Sequence, residues 1–431
     1  MGDIRYSSWS KLTLKILIVG GGGREHALAW RLRRSPNVKA LWASPGNPGI
    51  TQVATCIATP TSISGYADLA ESLAVDLTVV GPEAPLVAGI VDEFRRRGMR
   101  IVGPTQAAAQ LEGSKIFAKE FFKRAGIPTA RSKQVTSLDE ALQSIKYFPT
   151  PVVIKADGLA AGKGVVIAQN RAEAEAAIRK LGPNLVIEEF LEGEEVSFIG
   201  VSNGEAFVPF APAQDHKRVF DGDEGPNTGG MGAYTDARIL TDGQTGIILD
   251  RIMLPTLARM RAEGTPFTGF LYAGLMMTAD GPKILEFNVR MGDPETQAIM
   301  HSYGGDFAEL LRAMSTEGSQ APQPAAAGCS VCITLAARGY PDAPIVGDEI
   351  IGIADAEATG ATVFQAGTKL NGARLVSNGG RVLSVTAGGD TLPVAIQKAY
   401  LAAGKIHFDG MHYRKDIGQK GLKRWFKTMA G

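Results

Sequence analysis

The sequence predicts a multidomain chain of α/β and α+β class, and three observations predict it. Over the first hundred residues, short apolar runs alternate with helical stretches. Near Ser114 an amphipathic helix gives way to closely spaced strands. Residues 318–328, GSQAPQPAAAG, are aperiodic and rich in Pro, Ala and Gly, and strand-rich sequence resumes after them. Alternation of the first kind makes a parallel sheet with helices on both faces, and clustered strands make an α+β unit. A chain of 431 residues has room for about two to four such domains.

KILIVG (15–20) is a compact buried-strand run, and GGGREHALAWRLRRS then opens a helix. VKALWA, VDLTVV and MRIVG repeat the theme. SKIFAKEFFKRAGIPTA (114–130) reads as an amphipathic helix stopped by Gly126 and Pro128. PVVIK, VVIA, LVIEEF and EVSFIGV are strands with one helix, residues 171–181, among them. FLYAGLMMTA and KILEFNVR are further strands, and HSYGGDFAELLRAM is expected to be a helix. After the linker come CSVCITLAA, RVLSVTA and one more helix; no internal repeat is present. MGDIRYSSWS lacks the apolar core of a signal peptide and is expected to be a disordered lead-in.

Composition narrows the function. A net charge of +1 gives no strong field for nucleic acid or a membrane surface. No apolar run approaches the roughly 18 residues of a membrane span. Partners are therefore expected to be small molecules. Three cysteines form no disulfide framework, which fits the cytoplasm. Cys329 and Cys332 lie on one strand with their thiols on opposite faces, as a buried structural pair. Arg95, Arg96 and Arg97 read as the solvated end of a helix.

Several stretches carry chemistry. DGLAAGKGV (157–165) fails the P-loop pattern, because Lys163 is followed by Gly164 rather than Ser or Thr. Its glycines allow backbone N–H groups to converge and its lysine adds a mobile charge, so it reads either as a phosphate-handling loop or as a flexible hairpin. Residues 20–23 are glycines between a strand and a helix, where free N–H groups meet an anion. The dinucleotide fingerprint is broken there, since Glu25 or His26 stands where its third glycine belongs. That favours a phosphorylated small molecule over NAD. Glu83, in GPEAPL after another strand, is placed to meet a substrate amine or hydroxyl unless the stretch is only a proline turn. In KILEFNVRMGDPETQ (283–297), period two puts Glu286, Asn288 and Arg290 on one face and Leu285, Phe287 and Val289 on a core face. Glu and Asn offer hard oxygen ligands suited to Mg²⁺, and Arg290 suits a carboxylate or phosphate. Asp293 and Glu295 follow in what reads as a Gly/Pro turn. IEEFLEGEEVS (187–197) is either a charged hairpin or a strand exit whose backbone reads an adenine edge, with Glu195 toward ribose hydroxyls.

Taken together, GGGREHALAW, SPGNPG, VGPEAPLVAGI, GPTQAAAQLEGSK, VIKADGLAAGKGV, VIEEFLEGEEVSF, QDHKR, GPNTGGMGAY, GFLYAGLM, EFNVRMGDPETQ, QAGTK and RKDIG resemble the ATP-grasp superfamily. Within it the chain is similar to the glycinamide ribonucleotide synthetase (phosphoribosylamine–glycine ligase) family from about Lys15 to its end. The number and order of the motifs make the resemblance specific. It implies a lead-in at 1–13, an N-terminal Rossmann-like (pre-ATP-grasp) domain for phosphoribosylamine at 14–114, an ATP-grasp domain at 115–320 with a lid subdomain at about 131–193, and a β-rich α+β C-terminal domain at 321–431. It implies ATP as co-substrate, with Lys115 and Lys155 on its phosphates and Asp157, Gly158, Gly162, Lys163 and Gly164 in a lid over them. Glu188, Glu189 and Leu191 would hold adenine, Glu195 the ribose, and Glu286 with Asn288 a Mg²⁺ or Mn²⁺ ion. Asp215, Lys217, Asn227, Thr228, Gly229, Gly230 and Arg290 would surround the γ-phosphate and glycine. Gly21, Gly22, Gly23, Asn47, Gly81 and Glu83 would serve phosphoribosylamine.

Catalysis is implied to rest on Lys155, Arg290 and Asp215, with Asp215 or Glu295 taking the amine's proton. The implied product is glycinamide ribonucleotide, in de novo purine (IMP) biosynthesis. A monomer is implied, with transient contact to other purine-pathway enzymes. Two features depart from the family pattern: only Gly182, Pro183 and Asn184 stand where relatives carry a longer insertion, and Val289 and Met291 replace residues more often Cys and Phe. The alternatives are another ATP-grasp carboxylate–amine ligase or carboxylase, an NAD-dependent oxidoreductase, and a nucleotide-binding regulator without chemistry.

Overall fold

The computed structural model describes residues 13–159, 164–316, 322, 325–326 and 328–429. Most of the lead-in and of the linker, and the lid residues Gly162 and Lys163, lie outside the described residues. The apolar runs of the N-terminal third become β1 (Leu14–Gly20), β2 (Val38–Pro45), β3 (Thr55–Cys56), β4 (Leu77–Val80) and β5 (Ile101–Val102), parallel in the order β3-β2-β1-β4-β5. Helices α1 (Gly23–Arg33), α2 (Ile63–Ser72), α3 (Glu83–Val87) and α4 (Ile90–Arg96) connect them. This brings the turns after β1, β2 and β4 to the carboxyl edge of the sheet, where open α/β folds bind ligands. Gly46 N donates to Gly20 O there at 3.1 Å. The basic run at the end of α4 is not merely solvated. Arg97 is mostly buried and pairs with Glu93 and Asp68, and Arg95 reaches Thr268.

After α5 (Gln110–Gly113), Ser114 caps α6 (Lys115–Ala125) by accepting from Phe117 N, and Gly126 ends it at φ +67°. A small antiparallel sheet follows: β6 (Ser132–Val135), β7 (Val152–Ala156), β8 (Val165–Ala168) and β9 (Leu185–Glu189), in the order β6-β9-β7-β8. Helices α7 (Leu138–Ser144) and α8 (Arg171–Leu181) cover it, and Val135, Ile145, Ile154, Ile178 and Ile187 form its own core. The short connection 182–184 joins α8 to β9 without disturbing that sheet, and Asn184 O accepts from Asp157 N at 3.0 Å.

The central layer holds β10 (Glu194–Asn203), β11 (Phe207–Pro209), β12 (Ala213–Asp215), the hairpin β13 (Arg218–Phe220) and β14 (Glu224–Asn227), then β15 (Gly232–Thr235). After α9 (Asp242–Ile248) and α10 (Leu254–Ala262) come β16 (Thr268–Thr278), β17 (Gly281–Asn288) and α11 (Glu295–Ser302). The segment HSYGGDFAELLRAM is not one helix. It breaks at Gly304 and Gly305, where β18 (Tyr303–Gly304) pairs with β19 (Ala325–Ala326), and Asp306 then caps a separate α12 (Phe307–Met314). Gly305 sits at φ +111°, which no helix tolerates.

The last block contains β20 (Cys329–Ala336), α13 (Ile353–Glu357), β21 (Thr362–Gln365), the hairpin β22 (Thr368–Asn371) and β23 (Arg374–Ser377), β24 (Arg381–Gly389), α14 (Leu392–Ala403) and α15 (Gln419–Met429). Its main strands do not form a separate sheet. β20 pairs with β15, which gives one antiparallel sheet in the order β17-β16-β10-β12-β15-β20-β24-β21, with β11 on β10. Cys329 and Cys332 are buried and form no disulfide, and burial pushes both thiols up to about 12. Among the described residues, no helix is long and apolar enough to cross a membrane.

Candidate active site

A cleft opens between α5–α6, the small sheet and β17. Lys115, Lys119, Lys155, Glu112, Glu188 and Glu286 line it, over Phe122 and Phe287. Lys115 and Lys119 are one helical turn apart on α6 and therefore share a face. Lys115 Nζ donates to Gly158 O at 2.8 Å, and Lys155 Nζ donates to Leu285 O at 3.1 Å. The Glu188 carboxylate turns into the cleft, between Lys119 at 3.2 Å and Lys155 at 3.1 Å. Burial lowers the Lys119 ammonium to about 8 against the pull of Glu188. Burial likewise lowers Lys115, partly offset by Glu286. Glu189 faces away, accepting from Arg131 N at 2.8 Å. Asp157 accepts from Ser114 Oγ and Ile116 N, so its carboxylate ties the end of β7 to the N-terminus of α6. Leu191 packs with Ala130, Met276 and Leu285 as an apolar floor.

The strand β17 departs from strict alternation. Ile284 pairs with Leu275 and Glu286 with Gly274, which leaves Leu285 as the extra residue of a bulge. Leu285 therefore leaves the Phe287 and Val289 core and lines the cleft instead. Glu286, Asn288 and Arg290 still act together. Burial opposes the charge on Glu286, but Lys217, Lys155 and Lys115 outweigh it and hold the carboxyl below its usual range. Arg290 gathers Glu112 at 2.9 Å, Asn288 Oδ1 at 3.1 Å and Glu83 at 3.3 Å. Glu112 also accepts from Val289 N at 2.7 Å. Among the described residues, no three His, Cys, Asp or Glu side chains are grouped as a metal cage.

A second wall comes from the large sheet. Asp215 ends β12, and its Oδ1 is buried with no hydrogen-bond partner among the described residues. Burial and then Glu295 push its carboxyl well above the ordinary range, against Lys217 and Arg381. Glu295 is not in a turn. It opens α11, is buried, and accepts from Tyr272 OH at 2.7 Å and Ser197 Oγ at 2.9 Å. Lys217 pairs with Glu195 at 2.7 Å, so Glu195 is engaged by a lysine. Thr228 Oγ1 ties the turn after β14 together, donating to Lys217 O at 2.8 Å and accepting from Gly230 N at 3.0 Å. A Cβ on Gly230, at φ +117°, would lie 2.4 Å from Pro294 Cδ and 2.8 Å from Asp215 Oδ1. Arg381 Nη1 donates to Gly229 O at 2.7 Å and Asp293 O at 2.5 Å, and Gly229 N donates to Tyr340 OH at 2.9 Å. Asn227 stands opposite Arg218 in the hairpin that carries this turn.

At the carboxyl edge of the parallel sheet, the helix N-terminus is already engaged. Gly22 N donates to Glu25 Oε2 at 2.6 Å, and Glu25 lies under Gly20 and Gly81. The residue that breaks the dinucleotide fingerprint is thus the helix cap. Gly21 approaches Gly46 O, and Gly23 abuts Gln297. Asn47 accepts from Gly49 N and Ile50 N and donates to Gly21 O and Gln365 O, so its amide is fully used within the chain. Glu112, Lys119, Tyr340 and Arg381 were not foreseen from the sequence, and Glu25 was seen there only as a break in the fingerprint. Only Lys119 carried a local signal, its helical spacing from Lys115.

Family models match most of this chain: phosphoribosylglycinamide synthetase N domain over residues 14–112, its ATP-grasp (A) domain over 113–296, and its C domain over 330–420. A phosphoribosylamine–glycine ligase of Xylella fastidiosa is 48% identical, the match covering 95% of this chain and 99% of that protein. One from Yersinia pestis is 49% identical, covering 95% and 100%. The solved phosphoribosylamine–glycine ligase of Thermotoga maritima matches with TM-score 0.82 at 36% identity, covering 94% and 100%. N5-carboxyaminoimidazole ribonucleotide synthetase from the same organism shares the fold, with TM-score 0.65 at 20% identity over 92% and 99%. The family models, the full-length relatives and the cleft's chemistry agree: this chain belongs to the phosphoribosylglycinamide synthetase family and is an ATP-dependent ligase.

Proposed function

We propose that the chain joins glycine to 5-phosphoribosylamine with ATP, giving glycinamide ribonucleotide, ADP and phosphate in de novo purine biosynthesis, and that the lysine-lined cleft is where the triphosphate lies. One observation carries the assignment of residues. Arg290 touches Glu83 at the parallel-sheet edge, Glu112 in the cleft and Asn288 on the metal strand, so it links the amine side, the nucleotide side and the metal side. Lys115 and Lys155 offset charge on the phosphates, and Leu191 with Met276 and Leu285 offers adenine an apolar floor. Glu286 and Asn288 fit a divalent ion, Mg²⁺ or Mn²⁺: they are hard oxygen donors, Glu286 stays ionised, and a two-ligand site is completed by phosphate oxygens and water. When bound, that ion offsets charge on the transferring phosphoryl group.

The glycine carboxylate attacks the γ-phosphorus, the bond to the β-phosphate oxygen breaks, and ADP leaves. Charge stabilisation and alignment supply the acceleration, without a covalent protein nucleophile. The amine of phosphoribosylamine then attacks the acyl carbon of glycyl phosphate and phosphate leaves. Of the two acids left open by the sequence, Asp215 is the better proton acceptor. Its Oδ1 is unpartnered and its carboxyl is raised, whereas Glu295 already accepts two hydroxyls. The net charge of +1 supports action on small molecules, and we place that action in the cytoplasm. Glycine labelled with ¹⁸O in its carboxylate tests the acyl phosphate. About one labelled oxygen per turnover should appear in the released phosphate, and unlabelled phosphate would exclude the intermediate.

A further inference from the structure

Lys119 belongs to the cleft but has no role in the mechanism above. Its side chain is 3% exposed, that of Glu188 2%, and that of Lys155 8%. One buried carboxylate therefore serves two buried ammonium groups, and the two lysines differ in how they are held. Lys119 Nζ also donates to Thr129 Oγ1 at 2.7 Å, and that hydroxyl donates to Ile284 O at 2.8 Å. Lys119 is thus fixed to the start of the metal strand. Among the described residues, Lys155 has only the Leu285 carbonyl besides Glu188. A phosphate drawing Lys155 away would leave Glu188 as a buried charge with no partner, were Lys119 absent. An uncompensated buried charge is strongly unfavourable, so Lys155 would then stay where it is.

We propose that Lys119 is a positioning residue: it keeps Glu188 compensated while Lys155 turns from Glu188 to the nucleotide's phosphates. This rests on the reading that the nucleotide occupies this cleft. Calorimetric titration of the full chain with Mg²⁺ and a non-hydrolysable β,γ-imido ATP analogue tests it. The wild-type chain should bind; failure there overturns the nucleotide reading itself, whatever the variants do. Lys119→Met should bind about tenfold more weakly, and Lys119→Arg within about threefold of wild type. In the Glu188→Gln background no carboxylate remains to hold Lys155, so there Lys119→Met should cost less than about threefold, whatever Glu188→Gln itself costs. A purely structural role predicts that Lys119→Met costs about tenfold in that background too, and that result overturns the proposal. So does a folded Lys119→Met with wild-type affinity. If Lys119→Met does not fold, the double variant Lys119→Met/Glu188→Gln decides: it should bind within about threefold of Glu188→Gln alone, and binding tenfold or more weaker than Glu188→Gln overturns the proposal. If the double variant also fails to fold, Lys119→Arg decides, and a folded Lys119→Arg that binds tenfold or more weakly overturns it.

Discussion

Replacing Glu286 by alanine is expected to lower kcat about a thousandfold while the chain stays folded. Glu286 lines the open cleft, so its removal leaves no core cavity. Its carboxylate answers Lys217, Lys155 and Lys115 and, on the reading above, supplies the metal's charged ligand. Glu286→Gln keeps the shape and one oxygen but loses the charge, so it should lose at least about a hundredfold. Nucleotide-dependent Mn²⁺ binding, followed by electron paramagnetic resonance, should weaken in step. Wild-type turnover or unchanged Mn²⁺ binding in Glu286→Ala would remove this residue from the metal site.

The second large effect concerns Arg290. Replacing it by alanine strands Glu112, whose side chain is 9% exposed, and removes the partner of Glu83 and Asn288. Breaking such a pair costs roughly 3–5 kcal/mol of stability, most of it from the carboxylate left buried without a countercharge. Turnover should fall at least about a hundredfold as well. Lysine should rescue neither, since one ammonium cannot replace a planar fork that reaches three side chains. Arg290→Ala/Glu112→Gln should recover much of the stability and none of the activity, because neutralising Glu112 removes the stranded charge and leaves the catalytic gap. Urea denaturation with parallel kinetics measures both. An Arg290→Ala chain as stable as wild type would contradict the buried network.

Much of this was legible in the sequence because it is local. The apolar runs from Lys15 to Gly103 fix the parallel sheet, and the helix expected over 171–181 is α8. Period two correctly put Glu286, Asn288 and Arg290 together, yet it misassigned Leu285. A bulge depends on where the partner strand's hydrogen bonds fall, and nothing in KILEFN reports that. Glu295 was misread as a turn residue because Gly292 and Pro294 precede it. Pro294 in fact stands at the N-cap position of α11, without a side-chain cap bond, and the helix begins at Glu295 itself. Arg381 was beyond reach: it bonds Asp293 from 88 residues away, and only tertiary structure brings them together. Glu25 was visible, but as a missing glycine rather than as the carboxylate that caps α1.

The decisive experiment is ADP release by the purified chain with Mg²⁺ and ATP, given glycine, freshly prepared 5-phosphoribosylamine, or both. Release is expected only when both are present, with glycinamide ribonucleotide formed in equal amount. Release driven by bicarbonate or another acid in place of glycine, or no release with both substrates present, would contradict the proposed reaction.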